Sequence, residues 1–476
     1  MLTPSDTPPA PTRSHTSFNT SYVWLISIVA AMGGLLFGYD WIVISGTDLF
    51  YEAHFHLTSS WQVGWAKSSA LLGCLIGALV SGALSDRFGR KRLLALSALL
   101  FAVSSVATGL AGPFAVFVFW RIAGGAAIGL ASNLSPMYIA EVAPAQSRGR
   151  LVSLNQLTIV IGILLAQFVN WRIGSLHPLP DQPTPDQIAA SWSGQMGWRW
   201  MFGVTAVPSV LFLMGMFFVP ESPRWLAKNG KPEQARAILA KIGGADYARA
   251  ALADIQATLV NEVQRVNFRD LLEPKLKRML WLGIALAVLQ QWCGINVIFY
   301  YAKDVFQDSG FKVADILISI VFIGSVNLVA TLVALRVVDH WGRRPLMLFG
   351  YAGLTVLFVV MGLCFALNAR GVHMLVIVLA AIACYAMSLA PITWVLISEI
   401  FPNRIRGAAM SVAVTSLWIA CFVLTETFPL LREHLGAAVT FWIYAGICLF
   451  GFLLFKAKLP ETKGKTLEQI EQELVD

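Results

Sequence analysis

The stretch LLFGYDWIVISG, residues 35–46, is apolar on both sides of one carboxylate, Asp40. A charged side chain at mid-membrane costs about 2.5–3.5 kcal/mol on insertion scales, so an ionisable group in such a run implies a task. The clear basic partner deep in an apolar run of the same half of the chain is Arg121, in FVFWRIAGGAAIGL. Facing Arg121 favours the ionised carboxylate, whereas desolvation favours the neutral acid. A group balanced between those effects changes its proton affinity whenever its wetting or its distance from the guanidinium changes. That is the chemistry a proton-coupled process requires. The plainer alternative is an acid near a helix end, satisfied by water.

A second set of groups lies in LQQWCGINVIFYY, where Gln290, Gln291 and Asn296 sit among aromatic residues. Amides donate and accept at once, and aromatic faces cover C–H surfaces, which together suit a polyhydroxylated solute. On a straight helix at 100° per residue the three amides spread over about 240°, too wide for one cavity face. A helix broken at Gly294 turns all three inward. The same amides could instead bind helix to helix.

The elements that must carry these groups are apolar helices. Of 476 residues, 57% are hydrophobic and 13% charged, outside the range of soluble domains. A helix needs roughly 20 apolar residues to cross a hydrocarbon layer about 30 Å thick. Twelve such runs are predicted, at 23–46, 62–84, 93–111, 114–138, 151–171, 198–219, 278–301, 314–338, 346–367, 373–398, 407–430 and 438–457. Lys and Arg concentrate in alternate loops, at 87–92, 148–150, 224–278, 343–344, 404–406 and 456–465, and the longest outer loop, 173–197, has neither. The positive-inside rule then places the basic loops and both termini in the cytoplasm. It also explains the net charge of +8 without nucleic acid as a partner. Residues 1–21, polar and Pro-rich without a signal-peptide pattern, are expected to be a disordered cytoplasmic tail.

Other reactive residue types point to no second chemistry. All six cysteines fall inside predicted spans without a CxxC pair and are expected to pack. His54 and His56, two apart in an outer loop without a third ligand, are expected to be solvated, and no metal or cofactor is expected. The motifs GxSxG, GxxxxGK and HExxH are missing, which argues against an enzyme. Lys67 and Glu426 lie near the outer ends of their spans, where they are expected to snorkel toward water.

The chain also repeats itself. LSDRFGRKR at 84–92 answers to VVDHWGRRP at 337–345, EVAPAQSRGR at 141–150 to EIFPNRIRG at 399–407, and PESPRWL at 220–226 to PETKGKTL at 460–467. The predicted fold class is an all-α membrane protein of twelve transmembrane helices in two six-helix halves, 22–219 and 278–458, which frame a site at mid-depth. Between them, 220–277 is expected to form short cytoplasmic helices that latch the halves, capped by Ser222 and Pro223 and ended by Gly243 and Gly244; 459–476 is a cytoplasmic tail. Asp86, Arg87, Arg90, Glu141 and Arg148 recur as Asp339, Arg343, Glu399 and Arg406. With Glu221 they are predicted to form an inner gate that pairs across the halves when the cytoplasmic side is shut.

DRFGRK, PESPRWL, QQWCGINVIFYY and PETKGKTLEQIE, spread over about 22–472, resemble the signatures of the sugar porter family of the major facilitator superfamily. GGLLFGYDWIVISG, LASNLSPMYIAE and VPESPRWL are most similar to bacterial D-xylose:proton symporters. The resemblance implies a major facilitator fold. It also implies that proton-coupled members keep the acid at Asp40, where facilitators have an uncharged residue. By the same resemblance Gln156, Gln290, Gln291, Asn296 and Trp394 match residues lining a sugar site, with Asn327 and Phe37 at less decisive positions. The chain departs from the family at Ala390, where Gly usually precedes the proline, and at Leu417, where an amide commonly precedes the tryptophan.

The expectation is a proton-coupled monosaccharide symporter working by alternating access, with D-xylose or another pentose ahead of hexoses. It would be a multi-pass protein of the bacterial inner membrane, functional as a monomer, with sugar, proton and lipid as partners. A facilitative sugar uniporter and an inositol-type polyol transporter stand as alternatives. More remote is a transporter-like sugar sensor, since such receptors tend to carry long cytoplasmic tails and the chain ends about a dozen residues after PETKG.

Overall fold

The computed structural model describes residues 18–180, 183–261, 274–369, 371–401 and 406–463. Most of the tails expected at 1–21 and 459–476, and linker residues 262–273, lie outside the described residues. Among the described residues every regular element is helical. Eleven stretches are long and apolar enough to cross a membrane, and the last, Ala408–Lys458, turns at Gly436, where φ is +78°. Twelve crossings result, as the hydropathy predicts.

The helices are apolar around most of their circumference because one side meets protein and the other meets lipid. On the sixth span, Ser193–Phe218, Trp198 and Phe212 are buried while Phe217, Phe218 and Val207 point outward. The second span, Ser60–Phe88, runs along the fourth, Phe114–Val142, and the first, Thr20–His54, along the fifth, Arg148–Gly174. Small residues permit the first of these approaches: a Cβ on Gly125 would stand 1.9 Å from the Ala70 carbonyl oxygen. That seam fixes the register of the fourth span, and with it the position of Arg121.

Two spans are discontinuous near their middles. The seventh runs as Pro274–Trp292 and Ile295–Tyr300, separated at Gly294, whose φ of +86° is open to glycine and strained for other residues. The tenth runs as Val372–Met387 and Leu389–Glu399, broken at Ser388. Pro391 falls in the first turn of the second piece, where its missing N–H leaves no intrahelical bond unmade. The halves meet where the second span lies on the helix Arg406–Lys458 and the fifth on the eighth, Val313–Val337.

The linker begins as read from its caps. Ser222 accepts a 3.2 Å hydrogen bond from the Trp225 N–H at the start of Pro223–Lys228, and Pro232–Asn261 is interrupted at Gly243 and Gly244. Its described contacts tie it to the N-terminal half: the Trp225 indole donates to the Asp86 carbonyl at 2.9 Å, and Lys228 pairs with Asp86 at 2.9 Å.

The break in the seventh span yields a stability test. Gly294→Ala should lower the thermal stability of the purified protein by about 1–3 kcal/mol, because the side chain meets a positive φ and a Tyr444 ring atom at 2.8 Å. Gly446→Ala, with nothing within 4 Å of its added carbon, should leave the melting temperature unchanged or slightly raised.

Candidate transport site

Asp40 and Arg121 meet. Asp40 is 3% exposed and Arg121 2%, and an Arg121 Nη1 donates to Asp40 Oδ1 at 3.4 Å. The reading of Asp40 as a hydrated helix-end acid is thereby overturned: no bulk water reaches it. The pair is long, and Asp40 Oδ2 and Arg121 Nε are both buried without a hydrogen-bond partner in the described structure. The guanidinium carbon lies 5.3 Å from the Phe202 ring centroid, so an aromatic face covers its other side. A carboxylate with one unused oxygen beside a single cation has room to bind a proton without dismantling a network.

The break at Gly294 gathers the seventh-span amides. Gln290, Gln291 and Asn296 are all buried; the Asn296 amide donates to Gln291 Oε1, and the Gln290 amide donates to the Tyr385 hydroxyl. Gln290 Oε1 and the Trp418 indole N–H have no partner in the described structure, so polar capacity is left over for a ligand. Phe37 reaches across the halves to Trp418, ring centroids 6.1 Å apart, and Trp41 packs on Phe299 and Tyr300 at 5.6 and 5.0 Å. Asn327 is buried, Gln156 is half-buried, and Trp394 is 40% exposed. The described contacts do not join these last three to the amide trio. Leu417 is buried and brings no polar atom to the neighbourhood of Trp418. Tyr385 was missed in the sequence because it sits in an apolar run without a marker of its orientation, and Trp418 entered only as the tryptophan that follows Leu417.

At the outer ends of the spans the expectation of snorkelling fails. Lys67 is fully buried: its Nζ lies 2.7 Å from Asp48 Oδ2, 3.1 Å from the Tyr300 carbonyl oxygen and 3.6 Å from Asp304 Oδ2. Lys303 pairs with Glu52, and Arg432 holds Asp304 at 3.0 Å and Asp308 at 2.6 Å. Burial works against charging Lys303, but Glu52, Asp304 and Asp48 outweigh it and lift the group above the ordinary lysine value. Burial likewise raises Asp304, yet Lys303, Lys67 and Arg432 hold it below the usual carboxylate range. Both are charged at neutral pH. Glu426 is also buried rather than snorkelling, and accepts a 2.5 Å hydrogen bond from Ser68. His54 is half-buried, with Arg199 3.2 Å from its Nε2 and its ring on Trp198, while His56 is exposed as expected.

On the cytoplasmic side the sequence repeat becomes a repeated structure. Arg90 pairs with Glu141 at 3.1 Å and Asp86 at 3.2 Å, while Glu221 accepts from the backbone N–H groups of Arg90 and Lys91 at 2.9 and 3.1 Å. In the second half Arg343 pairs with Glu399 at 3.6 Å, and Glu461 accepts from the N–H groups of Arg343 and Arg344 at 3.0 and 3.1 Å. Ser222 donates to Glu141 as Thr462 donates to Glu399. Arg87 lies over Phe88 and Arg148 is exposed; the side chains of Asp339 and Arg406 lie outside the described residues. Among the described residues, these cytoplasmic pairs stay within one half, and the hydrogen bonds and ion pairs that join the halves are all on the outer side.

Two repeated six-helix halves, two interrupted spans, a buried acid–base pair and a cluster of buried amides with one unsatisfied oxygen define a membrane transporter of the major facilitator fold. Residues 26–474 match the family described as "Sugar (and other) transporter", and the chain belongs to that family. It is 39% identical to the D-xylose-proton symporter of Escherichia coli, covering 96% of both chains, and 40% identical to the glucose transport protein of Synechocystis, covering 97% of this chain and 100% of that one. A solved structure titled as the partially occluded inward-open conformation of the xylose transporter XylE from E. coli superposes with a TM-score of 0.82 at 38% identity, over 94% of this chain and all of the other.

The buried pair can be tested by a double-mutant cycle. Arg121→Met leaves Asp40 without its cation and should destabilise the purified protein by about 3–5 kcal/mol. Adding Asp40→Asn should recover a large part of that loss, read as melting temperature; independent, additive losses would show that the two side chains do not interact.

Proposed function

We propose that the protein is a proton-coupled monosaccharide symporter, and that D-xylose or another pentose or hexose is the sugar. The names of its relatives support the substrate class and the coupling ion. The observation that carries the reading is the Asp40–Arg121 pair: an acid sealed from water, held by one cation, with one oxygen unused. A facilitative carrier has no need of such a carboxylate, since its solute moves down its own gradient.

In the proposed cycle, opening of the outer side wets Asp40 and lets it take a proton from outside. Neutral Asp40 weakens its hold on Arg121, and sugar binds beside the amides of Gln290, Gln291 and Asn296, with Gln156, Asn327, Phe37 and Trp394 completing the site. Once the outer side closes and the cytoplasmic side opens, the carboxyl returns its proton as Arg121 reclaims it. The cytoplasmic residues Asp86, Arg87, Arg90, Glu141, Arg148, Glu221, Asp339, Arg343, Glu399 and Arg406 gate the inner side. On this reading the transporter works in the bacterial inner membrane as a monomer with both termini cytoplasmic, an orientation that the basic loops support. One proton supplies about 2.3 kcal/mol per 100 mV and about 1.4 kcal/mol per pH unit, enough for sugar accumulation of several hundred-fold.

Two outcomes are expected in proteoliposomes. An inward proton gradient should drive labelled xylose uphill, and Asp40→Asn should abolish accumulation while preserving sugar–sugar counterflow; accumulation by Asp40→Asn would remove Asp40 from the coupling role. Gln290→Ala should raise the KM for counterflow by tenfold or more, the expected loss when a buried polar contact to a sugar hydroxyl goes unmade.

A further inference from the structure

The outer ends of the two halves are joined by charge that the transport chemistry does not use. Asp48, Glu52 and Lys67 come from the first and second spans, and Lys303, Asp304, Asp308 and Arg432 from the second half. We infer that Lys67, Glu52, Lys303 and Asp304 form a buried ion-pair lock that holds the outer side shut and must open in every transport cycle.

Several independent features support this. Lys67 is anchored in its own half by Asp48 at 2.7 Å and Glu52 at 3.8 Å, and it also reaches three groups of the opposite half: the Tyr300 carbonyl at 3.1 Å, the Asp304 carboxylate at 3.6 Å and the Tyr301 ring 4.0 Å from Nζ. The Lys303–Glu52 pair crosses the same seam in the opposite sense, cation from the second half and acid from the first. Arg432, on its own half, fixes Asp304 and Asp308, so the acid that meets Lys67 is held in place rather than free to follow it. Four acids face three cations, nearly balancing the charge. A balanced set can be buried together, whereas any member separated from its partners in a dry site is strongly penalised.

The geometry depends on the interrupted seventh span. Its helix ends at Tyr300 and resumes at Ala302, which turns the Tyr300 carbonyl and the Lys303–Asp304 dipeptide toward the first half. When the halves part on this side, Lys67 keeps Asp48 and Glu52 but loses the Tyr300 carbonyl and Asp304, and water must replace them. The lock therefore favours the outer-closed state until water enters the seam, and substitutions in it should shift the balance between outer-open and outer-closed forms.

This inference rests on the alternating-access reading and is tested without sugar or a proton gradient, so its failure is distinguishable from failure of the proton-coupling reading. Backbone hydrogen–deuterium exchange of the purified full-length protein is followed in segments 44–54 and 302–308 for Glu52→Gln, Lys303→Met and the double variant. Each single change should speed exchange there about tenfold, and the double variant should be no faster than the faster single, because the second change removes a partner already lost. Exchange across 389–399, at the cytoplasmic side, should slow in the same variants. Lys67→Met should give the largest outer increase of the set. Unchanged exchange in the outer segments, or increases in the double variant that multiply as for independent sites, would overturn the lock.

Discussion

A charge buried between helices in a bilayer has no bulk water to fall back on, so it must meet an opposite charge, a set of dipoles or a proton. The arrangement of this protein follows from that constraint at each depth. In the interior of the N-terminal half Asp40 meets Arg121, and among the described residues no other charged group pairs with either. At the outer end seven charged groups close on one another across the seam between halves. At the cytoplasmic ends the described acids Glu141, Glu221, Glu399 and Glu461 accept from backbone N–H groups and hydroxyls of their own half. The three layers differ in how much partner supply they have. The central pair has the least, and a sparsely supplied acid is the one whose proton affinity responds most to movement.

Helix interruption is the second organising device. A continuous seventh helix would spread Gln290, Gln291 and Asn296 around its circumference and keep the Tyr300 carbonyl within a helical ladder. The turn at Gly294 brings the Asn296 amide onto Gln291, and the interruption at Tyr301 gives Lys67 a carbonyl ligand. One span thereby serves both the amide cluster and the outer seam. The tenth span, broken at Ser388, brings the Tyr385 hydroxyl to Gln290 and leaves Trp394 on the piece beyond the break.

Much of this was legible in the sequence, and the failures share a cause. Hydropathy located all twelve crossings, including the pair that Gly436 separates without a loop, because the apolar content of a span is a local property. Asp40 and Arg121 stood out since an ionisable residue in an apolar run is rare, and the angular spread of three amides required a break at Gly294. Repeats in the sequence marked Glu141 with Ser222 and Glu399 with Thr462 as equivalent sites. Lys67 and Glu426 were misjudged because position near a helix end does not reveal what covers it; their cover comes from spans more than two hundred residues away in sequence. The same limit applies to Gln156, Asn327 and Trp394, which the described contacts do not join to the amides of the seventh span.

The central claim is that sugar and proton move together through Asp40. The most direct test is the electrical current evoked by adding xylose to proteoliposomes on a solid-supported membrane with no imposed proton gradient or voltage, so that the added sugar is the driving force. The account predicts an inward positive current that grows with sugar concentration and disappears in Asp40→Asn, while the variant still exchanges labelled sugar. Xylose entry without current in the unmodified protein would contradict it, and would leave Asp40 and Arg121 as a structural pair in an uncoupled carrier.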